Sequence, residues 1–352
     1  MERSPTKAAP PSPDWLIRPF EVSKLAPAWL GLGVAIAWLL IVGLAHTAAH
    51  IMIGPAALPF SLARFTSTVL LAAALLGLLL AGHAHLYLGA VSDLRRLRPL
   101  LPGGDADFER LTRDVPNLSP PTRRLVTIFG IVGGVAVATL DPNLRDLHGH
   151  LSRADPRYLI FILQNVLFGT LGFRLFAAEV HMTRAYARLG ERIEVDLFDQ
   201  SILFVFARKG LRSVVVWVLI SSALSMFWVL DSAGQANVVI AILVLALVMV
   251  ALIAPTRGVH LRIAAVKATE LARVTEAIRS ERAATLAPRY ADRPPEDARL
   301  GNLIQYQEFV KSIREWPFDL SIVARSVLLI ALGAGSWLGG AVVERLLGLA
   351  LD

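Results

Sequence analysis

Seven stretches of this 352-residue chain are long and apolar enough to cross a bilayer, and nothing else in the sequence narrows the available folds so far. A spanning helix needs about 20 mostly apolar residues, because the backbone rises about 1.5 Å per residue through roughly 30 Å of hydrocarbon. The stretches run Pro27–Ala48, Thr66–Leu88, Leu125–Leu140, Tyr158–Ala178, Ser213–Leu230, Val238–Ile253 and Leu320–Leu346. Composition agrees: 55% of residues are hydrophobic and 18% charged, against about 45–50% and about 25% in soluble domains. The expected fold is all-α, a polytopic membrane bundle of seven transmembrane helices.

Orientation follows from lysine and arginine, which are retained on the cytoplasmic side of short loops. The segments 1–27, 90–123 with the adjoining Arg124, 181–212 and 256–318 hold 28 of the 35 basic residues. The opposite side holds only Arg64, Arg145, Arg153, Arg157 and Arg345, while Arg174 and Arg325 lie inside spans. This distribution predicts an inside N-terminus and an outside C-terminus. The first span follows a polar lead too long for a secretory signal and reads as an uncleaved anchor.

The predicted organisation has four parts. Residues 1–26 form a cytoplasmic N-terminal segment with an interfacial helix, and Trp15, Ile17, Phe20 and, at the start of the first span, Trp29 suit the interface. Residues 27–256 hold six spans, with cytoplasmic loops at 90–123 and 181–212. Residues 257–317 form a cytoplasmic helical segment, which Pro255 kinks away from the sixth span. Residues 318–352 carry the seventh span. Leu303, Tyr306, Val310, Ile313 and Trp316 share one face of an amphipathic helix, and Asp199–Arg208 reads as a second. No internal repeat points to an inverted-repeat transporter.

Polar side chains inside spans are the default functional candidates, because burying them in lipid is costly. Gln164 and Asn165 lie deep in the fourth span, able to hold a permeating ion or polar substrate, or simply to hydrogen-bond between helices. Arg174, nearer the inner face, is positioned to snorkel, with Glu179 as its partner. In the last span Gly335 and Gly339 form a GxxxG step around Ser336, which suits tight helix packing, a subunit contact or a pore. Gly130 and Gly134 repeat the spacing in the third span.

The histidines fall in pairs. His46 and His50 share a helix face at the outer end of the first span, and His148 and His150 follow Asp146 in an outer loop. Imidazole with carboxylate makes a zinc or copper shell, or a site that titrates near neutral pH. His83 and His85 point to different faces at the inner end of the second span and read as interfacial.

Several chemistries find no support. Without cysteine there are no disulfides, thiolate metal sites or cysteine nucleophile. The P-loop, HExxH and GxGxxG patterns are missing, and Ser336 lacks the following glycine of intramembrane serine proteases. No enzyme is expected. The basic residues flank a membrane instead of forming a nucleic-acid surface.

The run Ile313-Arg-Glu-Trp-Pro-Phe-Asp319, followed by Gly335-Ser-Trp-Leu-Gly-Gly-Ala-Val-Val-Glu-Arg-Leu346, resembles a pattern of uncharacterised proteobacterial multispanning membrane proteins. The stretch between Asp196 and Arg212 is similar too, so the likeness covers about the last two-fifths of the chain. It implies a bacterial inner-membrane protein and no particular activity. In topology alone the chain resembles the seven-span insect chemoreceptor channels, which implies a homo-oligomer with the last helix at the pore.

The sequence thus leads to three expectations. One is an oligomeric ion channel with its last span at the subunit contact. The second is a transporter or sensor with an outer histidine and carboxylate site for zinc, copper or protons. The third is a membrane scaffold whose cytoplasmic helices dock a protein partner.

Overall fold

The computed structural model describes residues 14, 16–23, 25–53, 62–140, 156–230, 234–285, 297–316 and 328. Among them every regular element is helical: α1 (Arg18–Val22), α2 (Pro27–Ile53), α3 (Leu62–Leu97), α4 (Gly104–Asp114), α5 (Pro120–Leu140), α6 (Pro156–Gly190), α7 (Phe204–Leu230), α8 (Gly234–Thr285) and α9 (Asp297–Ser312). Among the described residues five segments are long and apolar enough to cross a membrane: Pro27–Met52, Thr66–Leu100, Pro120–Thr139, Pro156–Gly190 and Met249–Ala284. The chain is a multi-pass helical membrane protein. The expected seventh span, Leu320–Leu346, lies outside the described residues apart from Leu328.

Small residues set the helix packing. Between membrane helices close backbone approach replaces the hydrophobic effect as the source of packing energy. A methyl group added at Gly31 of α2 would lie 2.7 Å from the Gly77 carbonyl oxygen of α3, so only glycine fits this crossing. Gly130 and Gly134 do the same for α5, seating it on the α6 backbone at Thr170 and Val166. The GxxxG spacing of the third span is therefore a packing device within the bundle. Beyond these contacts α3 packs on α6 and α7, and α8 packs on both α6 and α7. The outward faces stay apolar: Leu125, Ile128, Phe129 and Val132 of α5 are all exposed, as lipid contact requires.

At the basic end of the bundle the helices outrun the bilayer. α3 and α6 have 36 and 35 residues, about 50 Å each at the helical rise, against roughly 30 Å of hydrocarbon. Their projecting ends, α4 and the 191–203 connection form a helical layer, tied by Glu194 N–H to the Leu100 carbonyl and by His181 to the Asp114 carbonyl. α8 is helical on both sides of Pro255, where Thr256 Oγ1 donates to the neighbouring Ile253 carbonyl at 2.8 Å. The Asp199–Arg208 segment packs beneath the spans, with Leu203, Val205 and Phe206 buried where α7 begins. One expectation changes in this layer: Ile17 and Phe20 are not interfacial, because they pack into the bundle against Ala84, Tyr87 and Val91 of α3.

The polar extension of α8 forms a hairpin with α9. Leu303, Tyr306, Val310 and Ile313 are the sheltered face of α9, as their spacing predicts, and Val310 is fully buried. Tyr306 donates to Glu270 at 3.1 Å, Lys267 to the Ile313 carbonyl at 2.8 Å, and His260 stacks on Trp316 at 4.0 Å.

Candidate functional site

Three acid–base pairs lie where α3, α6 and α7 converge at the basic end. Each begins with a helix carrying a charge on its inward face. On α6, Arg174, Glu179, Thr183 and Tyr186 are all buried, with the last three at helical spacing on one side. On α7, Lys209, Arg212 and Ser213 face the same contact. α3 supplies His83 and Asp93.

The central pair is Glu179 with Lys209. Lys209 Nζ donates to Glu179 Oε1 at 2.7 Å and to Ser213 Oγ at 2.7 Å, with the lysine side chain 0% and the glutamate side chain 3% exposed. Thr183 Oγ1 donates to the same Glu179 oxygen at 3.1 Å. The second pair joins Arg212 to Asp93, whose carboxylate also accepts from Tyr186 OH at 3.1 Å. Tyr186 lies within electrostatic reach of Glu179, and Lys209 within reach of Asp93 and Arg212, which couples the two pairs.

The third pair brings in the N-terminal segment. Asp14 bonds Arg174 through one oxygen, while its other oxygen accepts the Leu16 N–H at 3.1 Å and so shapes the turn into α1. Burial of Ile17 and Phe20 against α3 delivers Asp14 to this position. His83 is buried beside both charges and is not interfacial. Arg174 does not snorkel, and its partner is not Glu179: Lys209 occupies Glu179, and a nearer counter-charge arrives from outside the span.

The layer is neutral as a whole yet incompletely paired. Among the described residues, Arg174 Nε, Glu179 Oε2, Arg212 Nε and Trp217 Nε1 are buried without a hydrogen-bond partner. An unsatisfied buried polar atom forfeits about 1–3 kcal/mol, more when charged.

The other sequence candidates lie elsewhere. Gln164 Oε1 accepts from Trp38 Nε1 at 3.3 Å, an α2–α6 hydrogen bond of the ordinary membrane kind, about 0.6 kcal/mol. Asn165 turns back to the Phe161 carbonyl of its own helix at 2.9 Å. The His46 ring likewise meets its own helix, at the Val42 carbonyl, 3.1 Å away. No group of three or more metal-ligating side chains occurs among the described residues, His46 and His50 included. His148, His150, Asp146, Gly335, Ser336 and Gly339 lie outside the described residues.

Sequence reading missed Asp14, Asp93, Lys209 and Arg212 as site residues. Their signal was present: Lys209, Arg212 and Ser213 fall on one helix face together with buried Phe206, and a span arginine demands a counter-charge. Comparison of the chain with protein families, with curated proteins and with solved structures finds no match.

Proposed function

We propose that the protein moves protons across the bacterial inner membrane, with seven spans and its basic end in the cytoplasm, and that Glu179 is the exchanging group. The observation that carries this reading is the Glu179–Lys209 pair, fully buried and with Glu179 Oε2 unpartnered. Buried ion pairs are weak stabilisers, often matched or bettered by apolar residues of similar volume, so stability alone does not account for three of them. In membrane helices such groups mark ion paths and proton relays.

The chemistry is a simple proton exchange. A proton bound at Oε2 converts the carboxylate to a neutral acid and weakens its hold on Lys209. The ammonium keeps its charge and its hydrogen bond to Ser213, and Tyr186, Asp93 and Arg212 adjust around the change. Loss of the salt bridge frees α6 to shift against α7, which is how one protonation biases a two-state helix bundle. Closure of the layer by ion pairs at the basic end fits the inward-closed side of an alternating-access cycle.

The test is proton flux in reconstituted vesicles, wild type against Glu179→Gln. Flux that needs the carboxylate supports the reading, and vesicles that stay proton-tight with wild-type protein remove it.

A further inference from the structure

A groove of about 540 Å³ runs over α3, with α2 on one side and α7 on the other. Its walls are almost wholly apolar, from Ala28 to Leu39 on α2 and from His85 back to Leu70 on α3, with Val216 closing the α7 side. The eleven-residue step from Ala28 to Leu39 covers about 16 Å of helix. Half of the hydrocarbon thickness is roughly 15 Å. On α3 the wall from His85 back to Leu70 covers about 22 Å, so the groove starts at the basic end of the bundle and extends past mid-membrane, long enough for one acyl chain.

Its foot is polar and positive. His85, exposed, is the titratable side chain lining the groove. One turn below, the Arg212 side chain lies over Gly89, 2.5 Å from where a methyl group would stand, and its Nε has no hydrogen-bond partner. Seven and eleven residues beyond His85, exposed Ser92 and Arg96 continue the same face of α3 out of the bundle. An apolar slot of this length, ending in a hydroxyl and basic groups, has the polarity of a phospholipid.

We propose that this groove binds one acyl chain of an anionic phospholipid from the leaflet at the basic end. The phosphate lies at His85 and Arg96. The binding is independent of any transport activity and survives its absence.

Native mass spectrometry of the purified protein with phosphatidylglycerol or phosphatidylcholine tests the assignment. Ala74 is exposed in the groove, and Ala74→Trp fills it without displacing core. Wild type is expected to retain one phosphatidylglycerol in preference to phosphatidylcholine, and Ala74→Trp to lose it. Arg96→Gln should weaken phosphatidylglycerol about fivefold, the equivalent of about 1 kcal/mol for one basic contact, and leave phosphatidylcholine unchanged. Leu125→Trp, on the exposed face of α5, should change nothing. Equal lipid retention by Ala74→Trp and wild type overturns the proposal. Because the chain has no cysteine, Ala74→Cys adds a decisive arm. A disulfide between two copies, or between Ala74→Cys and Gly335→Cys within one copy, gives the groove to a helix and likewise overturns it.

Discussion

Lys209 Nζ and Glu179 Oε1 meet at 2.7 Å across the contact of α6 with α7, thirty residues apart in sequence and both shut away from solvent. Removing one partner leaves an uncompensated buried charge, at a cost of about 3–5 kcal/mol, whereas removing both leaves none. Lys209→Met should therefore destabilise the detergent-solubilised protein strongly, and Glu179→Gln/Lys209→Met together should recover much of the loss. Thermal unfolding of the two singles and the double checks this, and an additive double would contradict it.

Asp14 ties the N-terminal segment to the bundle through Arg174. Asp14→Asn removes the charge and keeps the shape, so Arg174 loses its counter-ion and α1 loses its anchor. Cleavage by chymotrypsin after Phe20, in α1, should become faster by about tenfold or more, as expected if local opening becomes easier by about 1.4 kcal/mol. Unchanged cleavage would mean that burial of Ile17 and Phe20 holds the segment unaided.

Two nearby glycines on α2 make a matched pair. A methyl group at Gly31 meets the Gly77 carbonyl at 2.7 Å, whereas at Gly33 nothing lies within 4 Å. Gly31→Ala should cost about 1–3 kcal/mol, as overpacking does. Gly33→Ala should be neutral or slightly stabilising, since alanine is the better helix former. Comparable unfolding temperatures for the two variants would refute the α2–α3 crossing.

The α8–α9 hairpin has an alkaline limit. Desolvation, followed by the hydrogen bond to Glu270, raises the Tyr306 hydroxyl above its ordinary value of about 10. A group whose folded pKa is raised contributes stability below its unfolded pKa and loses it as pH rises through the folded one. Hairpin protection in hydrogen exchange should hold up to about pH 10 and fall above it. In Tyr306→Phe the dependence should vanish, and a variant that still melts over the same range would show another group is responsible.

Most of the fold could be read from residue patterns, and most of the site could not, for a physical reason. Spanning helices declare themselves locally: the run from Thr66 to Leu88 is apolar whatever it touches. The inward face of α9 is legible in the same way, through the spacing of Leu303, Tyr306 and Val310. Ion-pair partners are not local. Arg174 and Asp14 are 160 residues apart and Arg212 and Asp93 are 119 apart, so only packing assigns them. Glu179 lies nearer Arg174 in sequence, but Lys209 claims it first.

The central claim is best tested by proton flux into pyranine-loaded vesicles containing purified protein, driven by a potassium diffusion potential with valinomycin. The account predicts protein-dependent acidification of the vesicle lumen that Glu179→Gln reduces by at least about tenfold, the loss expected when a relay's proton-exchanging group is removed. Circular dichroism and elution position should match wild type. Equal flux through wild type and a correctly folded Glu179→Gln would contradict it.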